Sequence, residues 1–97
     1  MIKISCNNLA KLDYYENIDF LLNKWTVKEA QEFIDQVIYT EFVLSRGNID
    51  FQDTDFMGIK CCVICRQITL FYRKTDEQNI EFLRFWNNKK DKRKLKL

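Results

Sequence analysis

Chemistry in this chain is limited first by a side chain it lacks. The 97 residues include no histidine. That removes a Ser-His-Asp or Cys-His nucleophile system, a histidine-ligated metal and imidazole acid–base work, because no other side chain titrates unperturbed near neutrality. Catalysis would have to use lysine, tyrosine, cysteine or a carboxylate with a shifted pKa. Cys62-Val63-Ile64-Cys65 has the CxxC spacing, with Cys61 beside it and Cys6 distant. A zinc site needs four thiolates about 2.3 Å from one ion, usually on two tight knuckles. Here the intervening residues are β-branched, and neighbouring Cys61 and Cys62 on a strand would point to opposite faces. A redox pair would want a helix N-terminus to depress the thiol pKa. The four cysteines therefore read as reduced, small core residues of a cytosolic chain, and neither metal nor cofactor is expected. No GxGxxG, P-loop, GxSxG or HExxH occurs. Asp53 and Asp55 lie in an acidic stretch with nothing to separate their pKa values, and read as solvated.

The basic and aromatic residues of the second half are better candidates. Residues 1 to 59 carry five basic and ten acidic side chains, a net of −5, whereas residues 60 to 97 carry eleven and four, a net of +7. Six of those positive charges fall in the tail, residues 89 to 97. A basic stripe of this kind attracts phosphate backbones or an acidic protein, in both cases less strongly at high salt. Lysine and arginine can hold charge developing on a phosphate, and tryptophan or phenylalanine can stack on an unpaired base or anchor a partner. The bland alternative is a solvated, frayed tail.

The elements that must position these residues follow from periodicity. Ile2 to Ser5 alternates and reads as a short strand. Asn7-Asn8 offers N-cap side chains, and Leu9, Leu12, Tyr14, Ile18, Leu21, Leu22 and Trp25 recur at helical spacing. Thr26-Val27-Lys28-Glu29 fits a capping box, after which Ala30, Phe33, Ile34, Val37, Ile38 and Leu44 continue a second stripe that Gly47 ends. Gly47 to Asp55 reads as a loop. The period then changes to two over Phe56 to Ile64, Ile68 to Lys74 and Asn79 to Trp86, with turns at Cys65-Arg66-Gln67 and Thr75-Asp76-Glu77-Gln78. The expectation is one α+β domain over residues 1–97, its N-terminal strand and α-hairpin packed on one face of a mostly antiparallel sheet that ends in a three-stranded meander. No apolar run approaches the roughly 18 residues of a membrane span, and residues 1 to 5 lack the pattern of a signal peptide, so a cytoplasmic protein without a membrane partner is expected.

Strict alternation would put Ile80, Phe82, Arg84 and Trp86 on one face of the last strand and Glu81, Leu83, Phe85 and Asn87 on the other. Both faces then mix large apolar groups with polar ones, yet two helices cover only one. The uncovered face is expected to expose aromatics rimmed by charge, the usual mark of a partner site. Its candidate residues are Lys60, Arg66, Arg73, Arg84, Trp86, Lys89, Lys90, Lys92 and Arg93.

The runs Gln67-Ile68-Thr69-Leu70-Phe71-Tyr72-Arg73 and Asn79-Ile80-Glu81-Phe82-Leu83-Arg84-Phe85-Trp86-Asn87-Asn88-Lys89-Lys90-Asp91 resemble the C-terminal half of the RelE/ParE superfamily, the toxins of type II toxin–antitoxin modules. The Trp25-Thr26 helix junction, Ala30 and Phe33 extend the resemblance over nearly the whole chain. It implies a growth inhibitor neutralised by a cognate acidic antitoxin. Within the superfamily, RelE-like members cleave messenger RNA at the ribosome without a metal, and ParE-like members inhibit DNA gyrase. Thr69 stands where RelE-like nucleases carry a strand arginine, Asn87 where several members carry histidine, and Lys89 where arginine is usual. Cleavage needs a proton acceptor, a proton donor and a cation for the phosphorane; lysines could supply the cation. A ParE-like inhibitor or a non-canonical member is therefore favoured, and a degenerate, inactive binding domain of the same fold is the alternative.

Overall fold

Each helix starts where the sequence provides a side-chain acceptor for its orphaned first-turn N–H groups. The computed structural model describes residues 1–47 and 49–97. Strand β1, Lys3–Cys6, runs into helix α1, Asn8–Lys24, and the Asn7 side chain accepts from the Ala10 N–H at 2.8 Å. Helix α2, Val27–Ser45, is capped by the Thr26 hydroxyl, which accepts from the Glu29 N–H at 3.1 Å. Gly47 turns the chain away from α2 at φ 76°. A Cβ there would also sit 3.1 Å from the Ile2 side chain, so both conformation and space favour glycine. Gly47 to Asp55 is not all loop. Its last part pairs as the two-residue strand β2, Gln52–Asp53, while Asn48 lies outside the described residues.

Strands β3, Ile59–Cys65, β4, Ile68–Asp76, and β5, Asn79–Asn87, form the expected meander. The sheet order is β1-β5-β4-β3-β2, with β1 parallel to β5 and the other pairs antiparallel. The α+β architecture is the expected one, with both helices on one face. The main core between them joins Ala10, Leu21, Phe33, Val37 and Leu44 of the helices to Ile68, Leu70, Tyr72, Phe82 and Phe85 of the sheet.

Two readings of which side chain faces where are corrected. In β5 the register slips by one residue, so that Phe71 pairs with Arg84 but Tyr72 with Phe82. Leu83 is the extra residue of a β-bulge, and strict alternation ends there. Phe82 and Phe85 therefore both enter the main core, their rings 5.8 Å apart, although parity had placed them on opposite faces. In α1, Leu9, Leu12 and Leu22 face solvent, and in α2 so does Ile38. The buried positions of α1 are Ala10, Asp13, Asn17 and Leu21.

Asp13 and Asn17 are buried for a reason that lies in β5. Strand β1 pairs only with Asn79 to Phe82, so from Leu83 onward the outer edge of β5 has no partner strand among the described residues. One helical turn apart on α1, the two side chains supply what a strand would. The Phe85 N–H donates to Asp13 Oδ2 at 3.1 Å, and Asn17 Nδ2 donates to the Phe85 carbonyl at 2.9 Å. The Asp13 charge is balanced by Arg84, whose Nε and Nη2 donate to its two oxygens at 2.6 and 3.0 Å. Removing one member of so buried an ion pair strands the other. Asp13→Ala is expected to lower unfolding free energy by about 3 kcal/mol or more, and Asn17→Ala by about 1–2 kcal/mol. Urea titrations followed by circular dichroism check this, and a loss below about 1 kcal/mol for Asp13→Ala would remove the edge clamp as a major support.

Candidate functional site

Turning Phe85 inward leaves Phe71, on the facing strand, and Trp86 on the far side of the sheet, away from the helices. There they form a second apolar cluster with Leu95, flanked by Ile59 and Cys61. Leu95 follows a 3₁₀ turn, Lys92–Lys94, that is capped by Asp91. The tail is thus folded back, and it corrects the expectation of an uncovered face: Trp86 is only 4% exposed and Leu95 8%. What stays open is a groove of about 560 Å³ beside the tail. Cys61, Val63, Thr69 and Phe71 line it on the sheet, Lys92, Arg93 and Leu95 on the tail, and Gln52 to Phe56 on the opposite rim.

The nine candidate residues do not make one surface. Arg84 is withdrawn into its pair with Asp13, and the hydrogen bonds it donates to Asp13 push its pKa up. Its guanidinium also lies 5.2 Å from the Trp86 ring, on which Lys90 Nζ sits at 5.5 Å. Lys60 binds Asp53 at 2.7 Å, Arg73 binds Glu81 at 2.9 Å, and Arg93 binds Asp91 at 2.8 Å. The Asp53 hydrogen bond holds Lys60 protonated to higher pH than an ordinary lysine. Among the described residues, no carboxylate pairs with Arg66, Lys89, Lys90 or Lys92.

Arg66 and Lys89 meet at one corner of the molecule, around Trp25 in the break between the helices. The Arg66 guanidinium lies 4.9 Å from the Trp25 ring, and Lys89 Nζ is 5.9 Å from both Trp25 and Phe20. Asn88 joins this corner to the groove. Its N–H donates to the Gln67 carbonyl at 2.8 Å, its amide donates to the Arg66 carbonyl at 3.2 Å, and its Oδ1 accepts from the Thr69 hydroxyl at 2.8 Å. Sequence reasoning missed Asn88 and Leu95. Leu95 gives itself away only as an apolar residue amid lysines; Asn88 gives no such signal.

No family model and no curated protein sequence matches the chain. Solved structures do. A chain of the chromosomal ParDE toxin–antitoxin system from P. aeruginosa superposes with a TM-score of 0.72 at 13% identity, over 90% of this chain and 96% of that one. The fold is that of the RelE/ParE toxins. A chain of the E. coli DinJ-YafQ complex matches at TM-score 0.61 and 11% identity, over 92% of this chain and 96% of the other. A copper-bound mutant toxin from Helicobacter pylori matches at 0.60 and 19%, over 92% and 97%. At such identities the likeness is one of backbone architecture. On this RelE/ParE-like frame, Thr69 and Asn88 hold each other, and Asn87, whose Oδ1 accepts from the Lys89 N–H at 3.0 Å, shapes the turn after β5.

The cysteines divide as expected: Cys62 belongs to the helix-side core and Cys61 to the opposite cluster. Burial pushes the Cys62 thiol up from 9.0 to about 11. Unfolded, it would lose its proton near 9.0; folded, it keeps it to about 11, so the protein should lose stability as pH climbs through that interval. Urea midpoints measured from pH 8 upward should fall, and the slope should flatten in Cys62→Ala. Maleimide should modify Cys61 well before Cys62; equal rates would contradict the facing assigned here.

Proposed function

We propose that the chain is the toxin of a type II toxin–antitoxin module, cytoplasmic, inactive while a cognate antitoxin is bound, and that the free form acts by occupying a macromolecular target rather than by cutting RNA. The observation that carries this reading is the state of the open face. In a RelE/ParE-like frame, 2′-hydroxyl attack on a phosphodiester needs a base, an acid and a cation around one phosphate. Position 69 offers a hydroxyl already donated to Asn88. Lys60, which borders the groove through its Asp53 partner, is shifted toward permanent protonation, the wrong direction for a base. Asp53 is occupied by Lys60, and Asp55 on the same rim would repel a phosphate. These features support the gyrase-directed mode of ParE-like members over the ribosome-dependent cleavage of RelE-like ones. They need no metal and no cofactor.

The partner surface follows from which cations are free of carboxylates. Arg66 and Lys89 at the Trp25 corner, with Lys90 and Lys92 along the tail, can meet acidic side chains of an antitoxin. Stacking on Trp25 leaves the guanidinium edge available for a bidentate carboxylate contact. By contrast, Arg84 and Trp86 serve the interior in this reading, and Lys60, Arg73 and Arg93 would have to exchange an existing partner before binding another.

Induced expression should arrest growth, co-expression of the antitoxin from an adjacent reading frame should restore it, and plasmid supercoiling should fall while ribosome-bound messenger RNA stays intact. The double variant Arg66→Glu, Lys89→Glu should weaken antitoxin capture by roughly tenfold or more, with the effect shrinking as salt rises. Cut messenger RNA with normal supercoiling would transfer the protein to the nuclease class. Expression without any growth defect would leave the inactive binding domain.

A further inference from the structure

The tail holds the open face through very little. Leu95 is its one buried side chain after Asn87, and the 3₁₀ turn before it is formed by three exposed cations. Burial of a single leucine favours the docked state by on the order of ten- to a hundredfold before the entropy of ordering the segment is subtracted. Trp86 Nε1 is buried without a hydrogen-bond partner, and a buried indole N–H that has lost water opposes the burial that hides it. Nothing in the main core depends on the tail, since that cluster includes no residue beyond Phe85.

The two walls of the groove carry opposite charge. Lys92 and Arg93 line one side, Asp53 and Asp55 the other. With the tail removed, the charged residues lining the groove are the two aspartates alone, Lys60 remaining on Asp53. The vacated face would then be apolar at Phe71 and Trp86 and acidic along its rim. That surface suits a basic segment that buries a leucine, as the tail does with Leu95 while Leu97 stays exposed.

We propose that residues 91–97 form a detachable strap that seats Leu95, in cis, on the apolar face around Phe71 and Trp86, so that this face becomes available only when the strap lifts. The proposal concerns the face discussed above and rests on that reading for its biological consequence. Its test is optical and chemical, and needs no growth phenotype. In a Trp25→Phe background Trp86 is the only tryptophan, so acrylamide quenching reports on it alone. Leu95→Asp, and a chain ending at Lys90, should both lose most of the protection of Trp86 and shift its emission to the red, with unchanged far-ultraviolet circular dichroism. A synthetic peptide of residues 89–97 added to the shortened chain should restore protection at low salt and fail at high salt, and the same peptide carrying Leu95→Asp should not restore it. In chains that keep Trp25, alkylation of Cys61 should accelerate on shortening, a second measure that does not depend on the Trp25→Phe change. Unchanged quenching and unchanged Cys61 alkylation in the shortened chain would overturn the strap. Restored protection with the Leu95→Asp peptide would overturn the seating of Leu95 as the anchor of the strap. If growth arrest never appears but these optical results hold, the strap stands and the toxin reading alone fails.

Discussion

The rest of the molecule depends on how the outer edge of β5 is finished. A strand edge presents N–H and C=O groups that must be paired or wetted, and β1 covers only the first four residues of β5. Helix α1 begins where β1 stops, and the Asn7 N–H still bonds the Phe82 carbonyl at 3.1 Å. Asp13 and Asn17 then take the two outward groups of Phe85. This fixes the rotation of α1 about its own axis, which sends Leu9, Leu12 and Leu22 outward and Ala10 and Leu21 inward. An apolar stripe would have preferred another rotation. It is overruled because an unsatisfied buried amide or an unpaired buried carboxylate costs more than the exposure of a leucine.

The same contact decides what the far face can be. Because Asp13 is buried it requires Arg84, and the bulge at Leu83 places Arg84 and Phe85 where the edge clamp can hold both. The slip turns Phe85 into the core and leaves Trp86 on the opposite side. One irregular residue in β5 therefore links the interior of the molecule to its candidate binding face. A cation counted from sequence as a surface group becomes part of the scaffold, and an aromatic counted as exposed becomes the seat of Leu95.

Much of the architecture was legible because it follows from local chemistry. The Asn7 and Thr26 caps, the left-handed Gly47, the change of period after Asp55 and the turn at Arg66-Gln67 each have a short-range cause, and together they specify two helices and a meander. The site was less legible, since its determinants are long-range. Asp13 lies 72 residues from Phe85 and Thr69 lies 19 from Asn88. Alternation could not anticipate a bulge, and a lysine-rich run ending in two leucines reads as a frayed end until the sheet shows an apolar seat for Leu95. One signal was available and unused: Asp13 and Asn17 share the phase of Ala10 and Leu21 on α1, and polar residues in a helix's buried phase call for buried partners.

The chain's charge is consequently divided in space as well as in sequence. Four of the eight candidate cations already have carboxylates, and each such pair lowers the long-range field that the composition promises. What remains positive is concentrated at the Trp25 corner and along the tail, whereas the rim formed by β2 and the residues after it is acidic. Asn88 sits between, fastened to Arg66, Gln67 and Thr69 at once, and so keeps the corner at a fixed position relative to the groove. A partner that engages both must carry acidic groups for the corner and spare the groove's aspartates. A uniformly anionic polymer meets only the first condition, and a protein segment of mixed charge meets both. The geometry of the paired charges, more than their number, therefore sets where on this surface an anionic group can be received.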